Sequence, residues 1–197
     1  LGGHLRYYVG VYMGEGRDFG DRNATPDFNL HYLGRIEILP MGDFDDYKEA
    51  DLKRHESPKL SLGGAYSFHH QAQRDRGVLG SQPEDGGTSD YHSATADYMF
   101  KFAGFSSSGE FFWRQGTRIA PEATDDTPAP ASLVAPRDGI GWFVQAGYVF
   151  PGTPVEIAGR YSGIRGRGTE DPGGLTDTRG FTSLTQSDSA GGGIGYY

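Results

Sequence analysis

The sequence predicts an all-β fold, an antiparallel segment of a transmembrane β-barrel with about eight strands, on three observations. Segments of roughly ten residues alternate apolar or aromatic side chains with polar, charged or small ones, and this pattern recurs about seven times. The 197 residues include 32 Gly, 12 Phe and 12 Tyr but no Cys. The links between the alternating segments are short and long by turns. Alternation at period two gives a strand two unlike faces, and roughly ten residues is the length at which a tilted strand crosses a bilayer.

The first segment, about 4 to 13, sets Leu5, Tyr7, Val9 and Val11 on one face and His4, Arg6, Tyr8 and Tyr12 on the other. The second, about 30 to 38, divides Leu30, Tyr32, Gly34, Ile36 and Ile38 from His31, Leu33, Arg35 and Glu37. The third, about 59 to 69, puts Leu60, Leu62, Tyr66 and Phe68 opposite Ser61, Gly63, Ala65 and Ser67. The fourth, about 92 to 103, opposes Ala94, Ala96, Tyr98, Phe100 and Phe102 to Thr95, Asp97, Met99 and Lys101. In the fifth, about 105 to 115, Phe105, Phe111 and Trp113 stand against Ser108, Glu110, Phe112 and Arg114. The sixth, about 141 to 150, separates Trp142, Val144, Ala146, Tyr148 and Phe150 from Phe143, Gln145, Gly147 and Val149. The seventh, about 154 to 163, separates Val155, Ile157 and Tyr161 from Glu156, Ala158, Arg160 and Ser162. An eighth, about 188 to 197, is Gly-rich and weakly patterned.

Gly104 joins the fourth segment to the fifth, and Pro151 with Gly152 the sixth to the seventh; both read as tight turns. Links at about 14 to 29, 70 to 91, 116 to 140 and 164 to 187 are long, aperiodic and rich in Gly, Pro, Asp and Thr. Short turns at one rim and long loops at the other are the plan of bacterial outer-membrane barrels. The link at about 39 to 57 is long where a short turn is due, and its DDYKEADLKRHE run reads as a short polar helix or a solvated loop. Trp113 and Trp142 fall near one rim and Phe102, Phe105 and Phe150 near the other, as two aromatic girdles. A soluble sandwich also buries aromatics at period two, although it rarely needs so many consecutive strands of this length.

Composition excludes several classes. No run approaches the ~18 apolar residues of a transmembrane helix. A mean hydropathy of −0.57 does not argue against a barrel, because only alternate strand residues meet lipid. With net charge −8 and pI near 5.1 the chain lacks the basic excess of a nucleic-acid binder. Lacking Cys, it has no disulfide or thiol chemistry. It opens without a secretory signal, starts almost inside a strand and ends inside another, so residues 1–197 read as a single barrel domain incomplete at both ends.

The polar face carries the chemistry. Its charges come in pairs along single strands: Arg35 with Glu37, Asp97 with Lys101, Glu110 with Arg114, Glu156 with Arg160, with Arg6 in addition. Charges at membrane depth must face water or one another, so Arg6, His31, Arg35, Glu37, Asp97, Lys101, Glu110, Arg114, Gln145, Glu156 and Arg160 are expected to line a pore. The cations would attract an anion and the carboxylates would hold them in place; a plugged, non-conducting interior laced by ion pairs is the alternative. No catalytic constellation, cofactor motif or metal set is assigned. Ser106 to Ser108 lack a nucleophile elbow, although an outer-membrane hydrolase with a spatially assembled triad is a second alternative. His69 and His70 point to opposite faces and read as rim residues. GIRGRG at 163 to 168 and GGGIG at 191 to 195 mimic nucleotide loops without a helix to follow. Asp43, Asp45, Asp46 and the pair Asp125, Asp126 lack calcium-loop spacing. Asn23 to Thr25 form a sequon without relevance in a bacterial protein.

Five stretches carry a family resemblance: LHYLGRIEILPMGDF at 30 to 44, PKLSLGGAYSF at 58 to 68, GFSSSGEFFWRQ at 104 to 115, GWFVQAGYVF at 141 to 150 and VEIAGRYS at 155 to 162. Together they resemble consecutive strands of the phosphate-selective porin O and P family. The resemblance implies a sixteen-stranded, trimeric outer-membrane channel for anions such as phosphate, in contact with outer-membrane lipid and lipopolysaccharide. This chain would be roughly its C-terminal half without the final strands. Phosphate selectivity in that family relies on ladders of Arg and Lys, whereas this face mixes Glu and Asp with Arg.

Overall fold

The computed structural model describes residues 3–14, 29–74, 77–80, 82–83, 86–121, 123, 136–166 and 186–197. Eight strands form one sheet: β1 (Leu5–Met13), β2 (Leu30–Ile38), β3 (Lys59–Ala72), β4 (Thr88–Phe102), β5 (Phe105–Ile119), β6 (Gly139–Val149), β7 (Val155–Gly166) and β8 (Gln186–Tyr196). Each pairs antiparallel with its sequence neighbour, in the order β1 to β8. Each of the eight alternating segments is a strand. Several extend beyond the alternation, β4 back to Thr88 and β5 on to Ile119, where polar residues continue the ladder without an apolar face.

The register places all the charged strand residues named above on one face. Arg6 lies opposite Glu37, Glu37 opposite Gly63, Gly63 opposite Asp97, and Asp97 opposite Glu110. Following the pairs from Leu5 through Ile38, Leu62, Tyr98, Gly109, Val144 and Tyr161 leads to Ala190, six residues before the end of β8 at Tyr196. That stagger, about 20 Å over a width of about 34 Å, tilts the strands by roughly 30° in one sense. The sheet stays open, for β1 and β8 do not pair with each other.

The other face is apolar and uncovered. Even in interior strands Ile36 is 55% and Val144 43% exposed. A two-layer sandwich would bury these side chains against a second sheet, and the described residues contain a single one. Outward-pointing charges such as Asp90, Arg165 and Asp188 occur at the end from which the long links leave.

The link between β2 and β3 departs most from expectation. DDYKEADLKRHE forms a loop rather than a helix, with most of its residues exposed but Asp46, Ala50 and Asp51 buried: residues 39–58 run irregularly across the charged face at the short-turn end. Leu39, Phe44, Asp46, Ala50 and Asp51 are buried there, making this the main core of the molecule. Asp51 accepts from the Gly104 amide at 2.8 Å and from His55 Nδ1 at 2.5 Å, while the Ala103 amide donates to the His55 carbonyl at 2.9 Å. The Arg54 guanidinium donates to the Val149 carbonyl. The segment is thereby pinned to both short turns. The sequon at Asn23 to Thr25 and the Asp125, Asp126 pair lie outside the described residues.

Candidate functional site

Polarity and the 39–58 segment make the charged face the candidate site. The structure brings its residues together across strands rather than along them, which corrects the expected pairing. Next-but-one strands lie about 10 Å apart, a gap that a long arginine side chain spans when the residue between them is small. Arg35 on β2 reaches over β3 to hold Asp97 on β4 with two hydrogen bonds, of 2.6 and 2.8 Å. Gly63 permits this, because a Cβ there would lie 2.3 Å from Arg35 Nη2 and 2.5 Å from Asp97 Oδ1.

The remaining cations of β1 and β4 are engaged by the 39–58 segment. Arg6 lies 3.5 Å from Glu37 and 2.7 Å from Asp43, and donates to the Tyr47 hydroxyl at 2.6 Å. Tyr47 in turn donates to Glu37 at 2.7 Å, as does Ser61 at 2.7 Å. Burial and the bond to the Glu37 carboxylate push the Tyr47 phenol up to about 12. Lys101, wholly buried, sits 3.3 Å from Asp46 and donates to the Ala50 carbonyl at 3.1 Å. Burial alone would raise the Asp46 carboxyl; the Lys101 ammonium and its hydrogen bond outweigh that and hold it below the ordinary aspartate range. Asp43 and Asp46 therefore serve as counter-ions to the wall, not as a calcium cluster.

Further along the face, the expected pairs Glu110 with Arg114 and Glu156 with Arg160 give way to other contacts. The Arg114 guanidinium lies 3.8 Å from the Tyr91 ring, and that of Arg160 lies 4.1 Å from the Phe143 ring and donates to Gln145 at 3.3 Å. Glu110 faces Asp97 across the β4–β5 pair. Toward the long links His31 and His69 stack at 5.1 Å. His69, near the long-link end of β3, is 4% exposed and packs on the charged face; His70 points the other way and meets Asp90 at 3.1 Å. Sequence reasoning missed Phe44, Asp46, Tyr47 and Asp51, and also Tyr197, which donates to Glu156 at 2.7 Å. The available signal was a long link at the short-turn rim that carries apolar Leu39, Phe44 and Tyr47 within an acidic run.

Between this segment and β5 to β8 lies a cavity of about 240 Å³, lined among others by Glu49, Ser106, Gln145, Glu156, Arg160 and Tyr197. Among the described residues no group of three or more His, Cys, Asp or Glu could hold a metal ion. No family model matches the chain, and neither the curated proteins nor the solved structures provide a match.

Proposed function

We propose that this chain is part of the wall of a bacterial outer-membrane porin, a water-filled channel for passive diffusion of small solutes with a weak preference for anions, phosphate among them. One observation carries the reading: a single tilted sheet whose uncovered face is apolar and charge-free through its middle, while its other face is charged. On β4 the apolar face runs Phe102, Phe100, Tyr98, Ala96, Ala94 before reaching His92 and Asp90. Ten residues, tilted by about 30°, span about 25–30 Å, which matches the apolar band of an outer-membrane barrel. Aromatic residues cluster at both ends of that band, as the headgroup zones favour.

The charged face would line water, since the Arg35–Asp97 and Lys101–Asp46 pairs satisfy charges that lipid would not tolerate. The 39–58 segment would narrow the pore at its short-turn end. With Arg6, Arg35 and Lys101 each held by carboxylates, these cations set the field more than they capture ions, so any anion preference is modest. The resemblance to phosphate-selective porins supports this reading, including a sixteen-stranded, trimeric assembly of the full-length protein in contact with outer-membrane lipid and lipopolysaccharide. A barrel of eight strands has an interior just filled by its own side chains, leaving no room for the 39–58 segment.

The test is planar-bilayer conductance of the full-length protein, with the reversal potential read in a potassium chloride gradient. Stepwise, ohmic conductance with anions a few-fold more permeant is expected. A silent bilayer from verified folded protein would sink the reading.

A further inference from the structure

We propose that the cavity between the 39–58 segment and β5 to β8 is a subsite for a short zwitterionic solute such as a dipeptide; this rests on reading the charged face as a lumen and names a solute class for it. Two oppositely charged side chains of its lining, Glu156 and Arg160, have no counter-ion among the described residues. Glu156 is 7% exposed, yet its one hydrogen-bond partner among the described residues is the neutral Tyr197 hydroxyl at 2.7 Å. A buried carboxylate held only by a neutral donor is costly unless a cationic group joins it. The space it occupies exists because Gly147 has no side chain: a Cβ there would lie 2.3 Å from Glu156 Oε1. Glu49, on the 39–58 segment, adds a second carboxylate to the lining.

Arg160 lies on the same face of β7, four residues beyond Glu156, and its described partners are the Gln145 amide and the Phe143 ring, both neutral. A guanidinium so held keeps donors for a carboxylate. Residues four apart on a strand are about 13 Å from each other at Cα, and the reach of the two side chains leaves room for ligand charges several Å apart, as in a dipeptide rather than a single α-amino acid. The GGGIG string also acquires a role. Gly191, Gly193 and Gly195 share this face, and a Cβ at Gly191 or Gly193 would meet nothing within 4 Å, so β8 leaves the cavity open.

Calorimetric titration of the folded full-length protein in detergent micelles tests the site with three probes: glycylglycine, acetate and methylammonium. The expected result is glycylglycine binding about tenfold or more tighter than either single-charge probe. Glu156→Gln should abolish that advantage and leave acetate binding unchanged, while Arg160→Gln should weaken glycylglycine and acetate together. Should Glu156→Gln fail to fold, Gly191→Leu serves in its place, because it fills the open space and should exclude glycylglycine. Equal affinity for the three probes, or unchanged glycylglycine binding in the folded variants, overturns the proposal. Micelle binding needs no conduction, so intact binding with a silent bilayer would remove the channel and leave the site.

Discussion

Lys101 and Asp46 show how single residues decide the shape of this charged face. Both are essentially buried, at 0% and 5% side-chain exposure. Removing one partner of such a pair strands the other charge, at a typical cost of about 3–5 kcal/mol, whereas removing both is far milder. Lys101→Met should therefore loosen the 39–58 segment and speed tryptic cleavage at Lys53 about a hundredfold or more in the folded protein. The double variant Asp46→Asn, Lys101→Met should recover most of that protection. The same pair fixes a pH response. The folded Asp46 carboxyl lies below its ordinary value of 3.8, so its stabilisation is complete above that value and is lost as pH falls through the lower, folded one. Protection of the segment should hold from neutrality to about the ordinary aspartate value and fail only under stronger acid, as timed proteolysis with an acid-active protease would show. That Lys101 and Asp46 carry charge is plain in the sequence. That they meet is not, because 55 positions separate them and the contact depends on where an irregular link comes to rest.

At the scale of elements, the β4–β5 hairpin is the best-determined unit. Phe102 pairs with Phe105, leaving Ala103 and Gly104 as a two-residue turn with φ of 53° and 91°. Positive φ at both positions matches the right-handed twist of the flanking strands. Gly104 is needed twice over, for its backbone conformation and because a Cβ would lie 2.6 Å from the Val149 carbonyl. Gly104→Ala should lower stability by about 2 kcal/mol or more in urea-induced unfolding from micelles. Ala103→Gly should fall within about 0.5 kcal/mol of the parent, relief of backbone strain being offset by the added freedom of the unfolded chain. This turn was legible because Gly punctuates two alternating runs. The extra ladder of Thr88 to Tyr91 with Gly116 to Ile119 was not, since it has no apolar face and is held by pairing and by polar side-chain contacts such as Arg118 to Ser89.

At the scale of the whole molecule, the two faces make opposite demands. Val144 lies at the centre of β6 on the apolar face and is 43% exposed in the chain by itself. On a water-exposed surface Val144→Lys would shift stability by no more than about 0.5 kcal/mol, whereas in the middle of a lipid-facing band it costs about 2–4 kcal/mol. Folding titrations in lipid vesicles should show the larger loss for Val144→Lys and little change for Thr95→Lys on the charged face. Equal, small effects at both positions would count against a lipid-facing band.

The sequence by itself determined the eight strands, their antiparallel order and the sorting of side chains between faces, because period-two alternation and Gly-marked turns are local properties of the chain. Only the tertiary structure decided which charges pair and what covers them. Arg35 finds Asp97 rather than Glu37 because register brings β2 and β4 within reach across Gly63. Residues 39–58 fold over the charged face because its cations attract the segment's carboxylates while Phe44 and Leu39 seek cover. Such long-range choices depend on register, reach and burial acting together, and no local pattern encodes them.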